Sequence, residues 1–396
     1  MKILHVIPTV DPVSGGPAEA LKQICSIYRS GGHEVDVASL DSPEAVRQYE
    51  FPAQVFALGP GWGVFGYAPR AARWFKENLA RYDVVFIDGI WQYNTLAAYR
   101  ALEGTETPYA LFTHGMLDPY FKNRYPLKHL KKTIYWRLFL QRILRDANAV
   151  LFTCEEEKVL ARQSFPGYQA REIVVPFGIF RPECDRAVVT EEFLTRWPAL
   201  AGKRLAISMG RIHSKKGIDI LIEAFARSLA LDPAWHLVIA GPDTDGLQAE
   251  LEALAARLGM ANRITWTGML KGTLKWGALA AAEVFALPSH QENFGLAIVE
   301  AMACSLPVIV SDKVNIWREI DDYRAGSVCK DTVEGTEACL TQWRGLSGDE
   351  IDALRIRSRR CFDERFNYEA TAEMALEIVD RIANVPGVPP ALPGRQ

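Results

Sequence analysis

Along this chain, short apolar runs rich in β-branched residues alternate with stretches of helical length, and that alternation leaves few folds open. Lys2 to Ile7 reads as a short buried strand, followed by a polar Gly/Pro turn from Pro8 to Pro17 and a helical pattern from Ala18 to Arg29. Gly31-Gly32-His33 stops that helix, and Val35 to Leu40 supplies the next strand, completing a βαβ unit. Similar runs recur at Val84 to Ile87, Ala110 to Thr113 and Ala149 to Thr153. Helical stretches separate them, as the crossovers of a parallel sheet covered on both faces require. A second series begins after the Pro- and charge-rich stretch Pro176 to Pro198: strand Leu205 to Met209, helix Ile218 to Leu229, strand Leu237 to Ala240, helix Leu247 to Leu258 and strand Ile264 to Thr267. In the first of these helices Ile218, Leu221, Ile222, Phe225 and Leu229 make one apolar face.

The chain therefore reads as two α/β halves. Its 396 residues exceed the roughly 250–300 that one core usually spans. The expected division is an N-terminal half over residues 1–185, a C-terminal half over 186–365, a last helix over 366–384 and a flexible tail over 385–396, with a linker near residues 180 to 200. Sheets of this kind bind ligands just beyond the carboxyl ends of their strands, so functional residues are expected there, facing a cleft between the halves.

Charge and cysteine content narrow the partners. With 45 Lys+Arg against 48 Asp+Glu the chain carries a formal charge of -3, which argues against duplex DNA as the main partner and predicts no nucleic acid. Seven scattered cysteines without a CxxC pair fit a reducing cytosol and argue against a disulfide framework or a Cys-rich zinc site. The apolar run at the N-terminus is too short for a secretory segment, and every longer candidate for a membrane span carries a charge. The expectation is a cytoplasmic protein whose fold begins at Met1.

The most informative stretch is Phe285 to Ser311, FALPSHQENFGLAIVEAMACSLPVIVS. A strand ends in Pro288-Ser289, a loop carries Glu292, a helix from about Phe294 carries Glu300, and a second strand runs from Pro307 to Val310. The N-terminus of such a helix favours an anion such as a diphosphate, through its free N–H groups and positive dipole end. Eight residues of helix rise about 12 Å, so Glu292 and Glu300 would serve hydroxyls at opposite ends of an extended ligand of nucleotide-sugar length. A loop carboxylate plus a solvated helix glutamate is the plainer reading of the same spacing.

The stretch resembles the Glu-x7-Glu signature of retaining glycosyltransferases of the GT-B fold, family 4, usually written P-S-x-x-E-x-F-G-L-x-x-x-E-A-M-A-x-G-x-P-V. The matching residues are Pro288, Ser289, Glu292, Phe294, Gly295, Leu296, Glu300, Ala301, Met302, Ala303, Pro307 and Val308; Ser305 departs from the usual Gly. Upstream, Met209 to Gly217 resembles the family's G-R-L-x-x-x-K-G segment, which implies that Arg211 and Lys216 grip the donor diphosphate. A planar guanidinium fork and a point charge can together neutralise two phosphates and a departing nucleoside diphosphate. Lys215 beside them reads as solvated.

Other positions carry the resemblance further. Ser14-Gly15-Gly16 falls where the family has a Gly-Gly loop, which places Gly15 and Gly16 near the donor, although a tight turn is the alternative. His114, in Leu111 to Gly115, matches a family His-Gly and is implied to hold the transferred sugar; a structural histidine is the alternative. The backbone at Met269 and Leu270 is implied to meet the base, Asn293, Phe294, Gly295 and Leu296 to line the donor, and Glu300 to hold the ribose. Asp83 to Trp91 is also family-like, though Asp88 stands where relatives often have histidine. Trp91, Tyr93 and Asp118 are the acceptor-side candidates. The final helix after Asn367 is implied to cross back to the first domain.

Two matches are set aside. Gly61-Trp62-Gly63-Val64-Phe65-Gly66 satisfies GxGxxG, but its variable positions are aromatic or apolar and the next helix starts only near Pro69, so it reads as a surface or acceptor-side loop. Asp243-Thr244-Asp245 satisfies the DxD pattern of metal-binding glycosyltransferases, but it follows a strand through Gly241-Pro242 and reads as a turn capping the next helix. No metal or other cofactor is expected, the nucleotide-sugar being a substrate.

Tyr120 to Asp146 is basic, with Lys122, Arg124, Lys128, Lys131, Lys132, Arg137, Arg142 and Arg145 against Asp146 alone, and aromatic residues lie between them. Such a segment suits an anionic membrane surface or a lipid-linked acceptor; a surface helix with its aromatics in the core is the alternative. The resemblance implies transfer of a hexose from a nucleoside-diphosphate sugar to a hydroxyl of a glycan or lipid-linked saccharide, in bacterial polysaccharide or lipopolysaccharide assembly. The rivals are a sugar-nucleotide epimerase or a glycoside phosphorylase of the same fold, and a two-lobed sugar-binding protein without catalysis.

Overall fold

The computed structural model describes residues 1–12, 16–120, 122, 126–175, 177–180 and 183–384. Ser14, Gly15 and the expected flexible tail lie outside them. The chain forms two compact units, Met1–Gly178 with Glu369–Gln396, and Ile179–Tyr368.

The first unit is built on seven strands: β1 (Lys2–Ile7), β2 (Glu34–Ser39), β3 (Gln54–Ala57), β4 (Val84–Asp88), β5 (Tyr109–Phe112), β6 (Ala149–Phe152) and β7 (Glu172–Val174). They lie in the order β3-β2-β1-β4-β5-β6-β7, and every neighbouring pair is parallel. Central strands buried on both faces need side chains that tolerate no water, and Ile3, Leu4, Val84, Val85, Phe86, Leu111 and Val150 are all fully buried. The helix Gly16–Ser30 covers one face with Leu21, Ile24, Cys25 and Tyr28.

The second unit has six parallel strands: β8 (Arg204–Met209), β9 (Trp235–Ala240), β10 (Ile264–Gly268), β11 (Val284–Leu287), β12 (Val308–Ser311) and β13 (Gly326–Cys329), in the order β10-β9-β8-β11-β12-β13. In each sheet the direction of winding reverses once, between β1 and β4 and between β8 and β11. A crevice opens at such a switch point because the flanking loops leave in opposite directions.

Three expectations change. The stretch read as a linker near residues 180 to 200 contains the helix Arg186–Arg196, because Asp185 caps it and its Val189 and Phe193 pack on the helix Gly272–Ala281. A side chain at Gly277 would collide with the Val189 carbonyl at 2.1 Å, so the contact needs glycine. The helix expected to run to Leu229 ends at Arg227, and a 3-10 turn Leu229–Leu231 follows. In the basic segment the helix Pro126–Tyr135 passes into a π-turn, Trp136–Leu140, and a helix Gln141–Asp146. Trp136 is fully buried and Tyr135 and Phe139 pack against the core, so these aromatics serve the fold; Phe121, Arg124 and Tyr125 lie outside the described residues. Among those residues no helix is long and apolar enough to cross a membrane.

Candidate functional site

Most of the residues predicted to act lie beyond the carboxyl ends of strands, and Arg211, Lys216 and Glu292 lie at the switch point of the second sheet. In the second unit the chain leaves β8 through Gly210, whose φ of 152° belongs to glycine, and Arg211 follows. Ser214–Lys216 forms a 3-10 turn that ends at Gly217, φ 63°. A Cβ there would stand 2.2 Å from the Pro288 carbonyl just beyond β11, so only glycine lets the two strand ends approach. That approach brings Lys216 to Glu292: the Lys216 ammonium donates to Glu292 Oε2, with both side chains mostly buried. Lys215, read as solvated, instead lies half-buried and reaches Gln291 Oε1 at 3.4 Å. Among the described residues Arg211 has no carboxylate partner.

Burial alone would raise the Glu292 carboxyl, but the charges of Lys216, Lys215 and Arg211 outweigh it and hold the group below the usual carboxylate range. Its backbone is equally fixed, its N–H donating to Lys313 O at 3.0 Å and its carbonyl accepting from Asn315 N at 2.9 Å. The helix expected from Phe294 begins at Leu296, with Gly295 (φ 75°) as its cap, so Glu292, Asn293 and Phe294 belong to the loop. The cause is local: Asn293 is held by Asn315 at 3.2 Å, and Phe294 is buried edge-on against Phe366. The Phe294 side chain thus anchors the loop from below. The cap residue Gly295 has no side chain to cap the helix Leu296–Ala303, and Ile298 N donates to Gly295 O at 2.8 Å; the start of such a helix suits an anion.

One partner of the site was missed. Lys275, on the helix Gly272–Ala281, donates to Glu300 Oε1 at 2.6 Å and lies 4.3 Å from the Trp276 ring centroid. Nothing in its sequence spacing marks it. Met269 is exposed just after β10 while Leu270 is buried. Asp243 accepts from the N–H groups of Leu247 and Gln248 at 2.9 and 3.1 Å, which is the predicted helix cap.

In the first unit the carboxylate of Asp88, at the end of β4, lies between two imidazoles. His5 Nδ1 is 2.7 Å from Asp88 Oδ2 and His114 Nε2 is 3.0 Å from Oδ1. All three side chains are buried. Burial alone would raise the Asp88 carboxyl, but His5 and His114 hold it down, to about 2. An ionised carboxylate only accepts, so both imidazoles donate to it, and His114 keeps Nδ1 for another partner. His114 stacks on Phe112 at 5.6 Å and on Phe177 at 5.9 Å.

His114 is held in a left-handed conformation, φ 46°, by a residue that escaped notice: Glu157. Its buried Oε1 accepts from Thr113 Oγ1 and Gly115 N, both at 2.6 Å, and its Oε2 from Thr153 N and Oγ1 at 2.7 and 2.8 Å. Four donors thus tie the loops after β5 and β6 together. Gly16 opens the helix Gly16–Ser30, and its neighbour Gly15 lies outside the described residues. Of the acceptor-side candidates, Trp91 donates to Met116 O at 3.1 Å, Tyr93 is buried against Phe65 and Tyr67, and Asp118 accepts from Tyr120 N at 2.8 Å.

Residues 190–342 match the family of glycosyl transferases group 1, and residues 15–178 match the glycosyl transferase 4-like domain. The chain is 24% identical, over 95% of its length and 92% of the relative's, to the GDP-mannose:cellobiosyl-diphosphopolyprenol alpha-mannosyltransferase of Xanthomonas campestris. Among solved structures it superposes on a sucrose-phosphate synthase of Thermosynechococcus elongatus with a TM-score of 0.80 at 18% identity, covering 96% of this chain and 99% of that one. The Anabaena protein HepE, solved with UDP and glucose, superposes with a TM-score of 0.77 at 20% identity, over 96% and 99%.

Proposed function

Because the chain belongs to the group 1 glycosyltransferases of family 4 and has the GT-B fold, we propose that it moves a hexose, with retention, from a nucleoside-diphosphate sugar to a hydroxyl of a glycan or lipid-linked saccharide. The observation that carries this reading is the Lys216–Glu292 pair at the β8/β11 switch point, with Arg211 beside it. Arg211 and Lys216 stabilise the departing diphosphate, where negative charge grows in the transition state. A leaving-group oxygen takes the acceptor proton on the same face. Glu292 and His114 orient the sugar, and Glu300, held by Lys275, takes the ribose.

A relative matched along nearly its whole length is named for GDP-mannose and a diphosphopolyprenol acceptor, which makes that donor the first to try; the proposed setting is polysaccharide or lipopolysaccharide assembly. GDP-mannose is α-linked, so an α-mannosyl product is retention. The reaction needs no metal in this reading, since Asp243 of the DxD-like turn is committed to capping a helix.

The test is a thermal-shift screen against GDP-, UDP- and ADP-sugars followed by product analysis. A donor at 100 times its Kd adds about 2.7 kcal/mol. A new glycosidic bond formed in excess chelator supports transfer; an epimerised nucleotide-sugar, phosphate-dependent cleavage, or activity lost to chelator and restored by magnesium or manganese overturns the corresponding part.

A further inference from the structure

Two exposed apolar features of the first unit adjoin each other. On the helix Pro126–Tyr135 and the π-turn continuing it, Leu127, Leu130, Ile134 and Leu138 are 79%, 60%, 56% and 65% exposed. Their spacing of i, i+3, i+7 and i+11 puts them on one stripe, turned away from Trp136 and Leu140 in the core. At helical pitch Lys131 falls on one side of the stripe and Arg137 on the other, and both are exposed. The second feature is the loop set aside as a false GxGxxG match. Trp62 and Tyr67 pair through their backbones to close a tip where Trp62 is 70% and Val64 100% exposed. Phe65 seats that tip on the helix, its ring centroid 5.8 Å from Tyr135 and 5.7 Å from Tyr93. The loop Gly61–Ala68 carries no charge, and no acidic side chain occurs between Tyr120 and Arg145.

We propose that this face docks on an anionic lipid bilayer. Leu127, Leu130, Ile134, Leu138 and Val64 enter the acyl boundary, Trp62 lies at headgroup level, and Lys131 and Arg137 meet lipid phosphates. A bilayer fits better than a second copy of the chain because the stripe is bordered by cations and no carboxylates. An isologous dimer would press those like charges together. The reading also reassigns the basic segment: aliphatic side chains make the contact, while the aromatics Tyr135, Trp136 and Phe139 pack inward. Docking rests on this geometry alone; its benefit, access to an acceptor held in the same bilayer, rests on the proposed function.

The test is flotation of the full chain with vesicles of phosphatidylcholine alone or with about one third phosphatidylglycerol. The expected result is binding to anionic vesicles that weakens about tenfold or more in the double variant Leu130→Ser/Ile134→Ser, and that loses its salt dependence in Lys131→Glu/Arg137→Glu. Trp62→Ser/Val64→Ser weakens it as well, and transfer to a water-soluble acceptor stays unchanged in the two helix variants. Absence of binding, or binding indifferent to the Leu130/Ile134 change, overturns docking. So does concentration-dependent self-association that this change abolishes, since a second copy would then be the occupant. Intact docking without any sugar transfer overturns the proposed function and leaves the docking face standing.

Discussion

The first six strands of the N-terminal sheet run in the same spatial order as the six of the C-terminal sheet, yet their switch points hold opposite kinds of chemistry. Beyond β4 and β5 a carboxylate is sealed between two imidazoles and aromatic rings. Beyond β8 and β11 lysines meet glutamates in partly open ion pairs, and among the described residues the Arg211 guanidinium has no carboxylate partner. Topology supplies the place, because loops diverge there in both sheets; the residues in those loops decide what the place does. The first cluster holds one histidine still. The second, under the proposed function, exchanges its internal ion pairs for a charged ligand.

On that contrast, substitutions in the second cluster damage turnover, and those at Asp88, which supports His114 without being assigned to the sugar, damage stability first. The largest effect is expected for Lys216→Ala. Losing a cation aimed at a developing charge lowers kcat by about 10²–10³-fold, far beyond what the accompanying loss of the ion pair does to the fraction folded, and Glu292→Ala behaves alike. Steady-state kinetics beside circular dichroism checks this, and undiminished turnover in the Lys216 variant sinks the site assignment.

Next comes Asp88→Asn. The Asp88 carboxyl falls from 3.8 to about 2 in the folded chain, worth about 2 kcal/mol of stability at neutral pH. A depressed acid contributes fully above its unfolded value and loses the contribution as pH falls through the folded one. The stability gap between wild type and Asn should therefore be full above about pH 4 and shrink towards pH 2. Urea titrations across that window measure it; a gap that widens on acidification would break the account. A smaller change is expected for Glu300→Ala, which weakens nucleotide binding about tenfold and leaves turnover at saturating donor close to wild type. Calorimetry with the nucleoside diphosphate separates the two.

Much of this was legible in the sequence, and the gaps have physical reasons. Central strands such as β1, β4 and β8 announce themselves because burial on both faces demands continuous apolar runs. The edge strands β3, β7 and β13 were not read, because they are three or four residues long and largely half-buried, so their patterns dilute. Arg211, Lys216, Glu292 and Glu300 were marked by resemblance to the family's motifs, where spacing alone left a plainer reading open, and all four lie within one unit. Lys275 and Glu157 were not, since each acts on a partner from another element. Glu157 ends a run of three glutamates that looks like a solvated helix start, yet it is the buried one. His5 sits inside an apolar run, and only the fold reveals that it faces Asp88.

Ser305 sharpens the comparison at its smallest scale. It stands where the family motif has glycine, and the structure shows why glycine suits the position: φ is 58°, the left-handed turn that ends the helix Leu296–Ala303. Ser305 N donates to Met302 O and Leu306 N to Ala301 O, at 2.9 and 3.0 Å, so the turn returns the chain to β12. A side chain in this conformation costs about 1 kcal/mol, partly offset by the greater freedom glycine has when unfolded. Ser305→Gly should therefore stabilise the chain by a few tenths to about 1 kcal/mol, read as a small rise in melting temperature. Because the turn lies at the far end of the helix from Gly295, kcat should not move. A gain in stability accompanied by a change in turnover would mean that the helix transmits strain to the Glu292 loop, and that the second cluster is less separate from its scaffold than the first.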